Sequence, residues 1–219
     1  MIKSWSTTNL NFATDLFLED FYMKYNFFLS LAVLMIICSA ISNSSGESYS
    51  ERYSKGFRQD PTIPQWCRYT HFGDLRMRDK EKFFKKFGPE WEHMHHYCQG
   101  LYETSYAIQH PENAEFYLRE GIGGFNYVLE RMKRNHFFRY NVLFHKAKAL
   151  MLLKDYTEAA KQYMEIIKVK KDYIPAYIGL SNAYVLIGDR ISALKILEHA
   201  QKQFPSNTAI ENQMIKLQK

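Results

Sequence analysis

The string Trp91-Glu92-His93-Met94-His95-His96-Tyr97-Cys98-Gln99-Gly100-Leu101 gathers the residue types best able to do chemistry in this chain. Imidazole and thiolate are good ligands for zinc or copper. His93 and His96 are three residues apart and would share one face of a helix. His93 and His95, however, point about 200° apart around a helix axis, so all three histidines cannot meet on one ion. His71 or His110 would have to complete the site from elsewhere. Glu92 beside His95 or His96 has the reach of an acid–base pair, although an ordinary helix hydrogen bond uses the same spacing. Recurring catalytic strings are missing from the sequence: there is no Gly-rich phosphate loop, H-E-x-x-H, C-x-x-C or G-x-S-x-G. These residues argue for no enzyme and no cofactor. A metal-dependent protein using His93, His95 and His96, with His93 and His96 as ligands, is the alternative.

The elements that would carry this string are helical. Only 10 Gly and 6 Pro in 219 residues argue against a loop-dominated or all-β design. With 16 Tyr and 16 Phe, large rings must pack between helices and leave hydroxyls at the wet edge. The pattern predicts a flexible polar leader over 41–64, a helical patch from Phe72 to Phe87, and a stop and restart at Gly88-Pro89. Helices are expected from Glu90 to Gln109 and from Asn113 to Lys133, paired as an antiparallel hairpin. The second must absorb Gly121, Gly123 and Gly124, each costing a helix roughly 1 kcal/mol relative to Ala. A close approach by the neighbouring helix would explain them, and a kink is the other explanation.

Beyond residue 139 the chain repeats itself. Tyr140–Tyr173 and Ile174–Asn207 align at an offset of 34 residues. Ala147 and Ser181 are small residues where a first helix would touch the second, and Ala159 and Ala193 are small on the second helix. Tyr163 and Leu197 are large one turn later, and Pro205 closes the second unit. Lys154-Asp155-Tyr156 and Gly188-Asp189-Arg190 read as equivalent turns whose aspartates cap the following helices. This pair of segments resembles the tetratricopeptide repeat family. Its departures from that family's pattern are Leu150, Ile166 and Lys171. The resemblance implies an all-α fold: a short stack of antiparallel helical hairpins with two units over 140–207. A helical extension over 65–139 would hold a degenerate third hairpin, and 208–219 would be a capping helix. The Trp91–Leu101 string, with Trp66-Cys67 upstream, is in turn similar to a motif of exported bacterial proteins that join a W-x-H-M-H-H-Y-C-x-G-L helix to such repeats.

The amino-terminal end reads as an address. Phe27 to Ile41 carries no charge but is shorter than the roughly 20 residues a spanning helix needs. Met23-Lys24 before it and Cys38-Ser39-Ala40 at its end fit an export signal over 1–40, with translation starting at Met23. Asp15, Glu19 and Asp20 suit a signal poorly, and an uncleaved inner-membrane anchor is the competing reading. Export would leave Cys67 and Cys98, an even count that suggests one bridge in an oxidising compartment, with two buried thiols as the other option. The 29 basic residues are interleaved with 23 acidic ones, which describes solvated faces rather than a nucleic-acid patch.

Function on this reading is non-enzymatic: an adaptor or assembly factor of the bacterial cell envelope, periplasmic or secreted. Its partner would be a protein or peptide, with no nucleic acid, and a membrane only if the apolar segment is uncleaved. By repeat position, the groove would be lined by Asn141, Phe144, Lys148 and Met151, then Ile178, Asn182 and Val185. An amino-terminal extension lying in that groove would explain its apolar members equally well.

Overall fold

A computed structural model describes residues 49–70 and 77–218. The expected export signal over 1–40, its start at Met23 and residue His71 lie outside the described residues. Among the described residues the chain is all-helical, with no strand and no helix long and apolar enough to cross a membrane.

Helix α1 spans Tyr49–Gln59 and leads through a short 3-10 turn, Gln65–Tyr69, towards α2, Met77–Phe87. A second 3-10 turn, Gly88–His93, feeds α3, Met94–Gln109. A third turn, Pro111–Asn113, joins α3 to α4, Ala114–Arg131. Five further helices follow: α5 Arg139–Leu152, α6 Tyr156–Val169, α7 Ile174–Ile187, α8 Arg190–Gln203 and α9 Thr208–Gln218. From α3 onward each helix packs against the next, a helical repeat-like arrangement.

The flexible leader expected over 41–64 is corrected from residue 49 onward. α1 is formed there, and its Tyr53 and Phe57 are fully buried, as is Ile63 beyond it. The two aromatics, four apart, lie on one helix face and meet Tyr102 of α3, with ring centroids at 5.3 and 6.5 Å. A segment whose sequence is otherwise polar is thereby folded by a distant helix.

α4 runs unbroken through its three glycines because α3 lies against two of them. A Cβ on Gly124 would stand 2.6 Å from the His96 carbonyl oxygen, and one on Gly121 3.0 Å from that of Gly100. These pairings descend along one helix as they climb the other, so α3 and α4 are antiparallel. Gly123 faces open space.

The later helices pack on small residues. Ala147 and Ala149 of α5, Ala159 of α6, Ala176, Ser181 and Ala183 of α7 and Ala193 of α8 are all fully buried. The α5–α6 and α7–α8 turns share one geometry. Lys154 and Gly188 both take the left-handed conformation, at φ 65° and 94°. Asp155 then accepts from the Glu158 amide at 3.2 Å and Asp189 from the Ser192 amide at 2.9 Å, satisfying donors at the helix starts. α9 buries Ile210 and Leu217 against the last pair.

Candidate functional site

Asn141, Phe144, Lys148 and Met151 recur at helical spacing along one side of α5, while Val142, Leu143, Ala147 and Leu150 are buried on the other. Lys148 is exposed and the other three half-buried. Ile178, Asn182 and Val185 are half-buried along α7. The structure does not leave all seven open. Asn182 Oδ1 accepts from Gln213 Nε2 of α9 at 2.5 Å. Val185 packs beside the α8–α9 core, and Met151 beside the α5–α6–α7 core. Phe144 sits edge-on to Tyr173 at 5.3 Å and Tyr163 at 6.2 Å, with the Lys148 ammonium 6.0 Å from its centroid.

Position within a repeat could not reveal three neighbours of these residues. Tyr173 precedes α7 and stands 5.0 Å from Tyr140, making an aromatic ledge at the start of both helices. The available signal was one tyrosine just ahead of the α7 start and another at the α5 start. Gln213 belongs to the terminal helix. His145 lies behind Phe144, ringed by Tyr97 at 5.7 Å and Phe125 at 6.5 Å. Burial, helped by the Lys148 charge, pushes its pKa down to about 4.

At the α3 end, the amino-terminal segment covers the helix. Trp66 stacks on Tyr97 at 5.7 Å and touches Phe87, Trp91 and Phe138 at 5.1, 5.8 and 5.9 Å. A buried disulfide ties this turn to α3: the sulfurs of Cys67 and Cys98 are 2.06 Å apart. The tether holds Trp66 over Tyr97, which in turn reaches Phe138, just ahead of α5, and His145 of α5.

The histidine string is arranged around rings. His93 and His96 both face Tyr127 of α4, at 5.7 and 3.8 Å, and the Arg131 guanidinium covers the same ring at 3.5 Å. His95 lies 4.1 Å from His96, and its Nδ1 is 2.9 Å from the Glu92 carbonyl oxygen. Burial lowers the His96 pKa, a Gln99 hydrogen bond opposes this, and His93 and Arg131 add to the lowering. His110 is committed elsewhere, stacked on Tyr106 at 3.9 Å and beside Glu112 at 3.4 Å. Among the described residues no three His, Cys, Asp or Glu side chains come together to hold a metal ion. The Cys98 sulfur is taken by its bridge.

Three adjoining clefts lie on another side of α5. They meet at Arg134 and Arg139, and the largest, about 730 Å³, is bordered by Phe137, Tyr140, Val169 and Lys170. Arg139 is occupied there, donating to the Leu129 and Met132 carbonyls at 2.8 and 3.1 Å. No protein-family model matches the chain, and no curated protein matches it.

Proposed function

We propose that this chain is a non-enzymatic interaction module of tetratricopeptide type that holds a protein or peptide partner along α5 and α7 in the bacterial cell envelope. The observation that carries the reading is the sidedness of these two helices. One side of each is sealed by small and aliphatic residues. The other presents Asn141, Phe144, Lys148 and Ile178 part-exposed and within reach of a ligand. Equivalent capped turns after α5 and after α7 support a repeated unit, as does the full burial of Ala147, Ala159, Ser181 and Ala193.

The surface suits an extended or helical segment with apolar anchors. Neither α5 nor α7 contains an acidic residue, and α7 carries no charged residue at all. Phe144 and Ile178 would take apolar side chains, while Asn141 and the free face of Lys148 would meet backbone carbonyls or a carboxylate. The amino-terminal cover reaches α3 and the start of α5, so the partner would lie towards the α9 end. The Cys67–Cys98 bridge favours an oxidising compartment and with it the periplasmic or secreted location.

Site-specific photocrosslinking tests the reading. A photoreactive side chain at Asn141 or Ile178, in the natural host, should capture one discrete partner. The Lys148→Glu/Phe144→Ala variant, if folded, should lose that product. Undiminished capture by the folded double variant would count against this face.

A further inference from the structure

Away from that face, one buried carboxylate is surrounded in a way that stacking helices does not require. Glu103 of α3 is 3% exposed. Tyr53 of α1 donates its hydroxyl to one oxygen, and Arg52 Nη2 reaches the other at 3.5 Å. The same guanidinium faces three rings, with its carbon 4.7 Å from the Tyr106 centroid, 5.1 Å from Tyr117 and 5.6 Å from Tyr102. The rings brace one another. Tyr117 stands edge-on to Tyr106 at 4.7 Å, and His110 stacks on Tyr106 at 3.9 Å.

Three aromatic walls and a carboxylate floor select for one chemistry. A flat, delocalised guanidinium can lie against rings and donate to a carboxylate at once, whereas a compact, strongly hydrated ammonium does so poorly. The electrostatics agree. Burial pushes the Glu103 carboxyl above its usual range, with Tyr53 and Arg52 pulling against it. Burial also works against the charge of Arg52, but the Tyr102 hydroxyl and the Glu103 carboxylate outweigh it and hold the guanidinium pKa above its ordinary value. Remove the cation and a buried carboxylate is left uncompensated, so the vacated site must take up a proton or another cation.

We propose that Tyr102, Tyr106, Tyr117 and Glu103 form a guanidinium-binding site, filled in the resting chain by Arg52 and open to an arginine side chain of another polypeptide when α1 lifts. α1 is suited to leaving. Apart from Tyr49, Tyr53 and Phe57, its sequence YSERYSKGFRQ is polar or glycine. The Cys67–Cys98 bridge fixes the chain just beyond it, so α1 can move while the rest of the cover stays tethered.

The test uses the full chain with Arg52→Ala, titrated with ethylguanidinium by calorimetry. Saturable binding is expected, at least about tenfold tighter than that of ethylammonium and absent from the Arg52→Ala/Glu103→Gln variant. No saturable binding, or equal binding by both variants, overturns the proposal. A wild-type measurement guards against misfolding of the variants. Acetyl-arginine amide should speed amide hydrogen exchange across residues 49–59 by competing with Arg52, and acetyl-lysine amide should do so far less. Exchange indifferent to both, or accelerated equally by both, overturns it as well.

Discussion

Residues 49–70 and 77–131 pack around aromatic rings, whereas residues 139–218 pack around alanines. In the first region Trp66, Phe87, Trp91, Tyr97, Tyr102 and Phe125 fill the interior, and glycines on α3 and α4 let two backbones touch. Its contacts join residues far apart in sequence: Arg52 to Glu103, Cys67 to Cys98, Trp66 to Tyr97. In the second region the buried residues are mainly alanine, leucine and isoleucine, and the polar bonds at the turns are local. Local caps and nearest-neighbour packing can be lost one at a time, as in other helical stacks. A cover held by distant rings depends instead on the bridge that tethers it.

The bridge should expose this difference most strongly. Replacing Cys67 and Cys98 by alanine frees a loop of 31 residues, and loop entropy puts the loss at roughly 4 kcal/mol. Hydrogen exchange followed by mass spectrometry should show protection falling across α1, α2 and the turn at 65–69 while α6 to α8 keep theirs. Uniform loss over both regions would break the comparison.

His145 probes the seam, since it belongs to α5 but its ring meets Tyr97 of α3 and Phe125 of α4. Its pKa is pushed down from 6.5 to about 4, so the folded state favours the neutral ring. That contribution is whole above about pH 6.5 and is lost as pH falls towards 4. At about 1.4 kcal/mol per unit it amounts to up to about 3 kcal/mol. Urea melts of His145→Asn should show a flatter dependence over this window than the wild type. Parallel slopes would mean that the ring is not held neutral at the seam.

The two regions were unequally legible in the sequence, for a physical reason. The 34-residue spacing of small and large residues, and the aspartates ahead of α6 and α8, report interactions within one repeat. Their partners are a few residues away. α1 escaped because its only strong signals are Tyr53 and Phe57, and the ring that covers them, Tyr102, lies in another helix. The guanidinium cage escaped likewise, its salt bridge joining residues 51 apart. Along α5 and α7, repeat position could not show the Gln213 bond to Asn182 or the Tyr173 ring against Phe144, because each partner comes from a neighbouring element.

Adjacent glycines offer a smaller test of the aromatic region. Gly124→Ala puts a methyl against the His96 backbone, so a helix must move, at about 2 kcal/mol. Gly123→Ala meets nothing and should gain up to about 1 kcal/mol from helix propensity. Thermal melts of the two variants should move in opposite directions. Equal shifts would mean that α3 and α4 are not in backbone contact.

The finest comparison lies within the alanine region, between its two matching turns. Asp155→Ala and Asp189→Ala each remove one side-chain cap, and each should cost about 1 kcal/mol. Because the caps are local and well separated, the double variant should lose the sum of the two. The turns differ at one position: the left-handed residue is Gly188 in one and Lys154 in the other. A side chain with a Cβ is disfavoured there, whereas glycine loses more freedom on folding, so Lys154→Gly should gain no more than about 1 kcal/mol. If the turns are interchangeable, that variant should also bring the cost of Asp155→Ala to that of Asp189→Ala, measured by chemical denaturation. A cap at Asp155 that stayed distinctly weaker would show that the repeat is matched in backbone shape but not in energy.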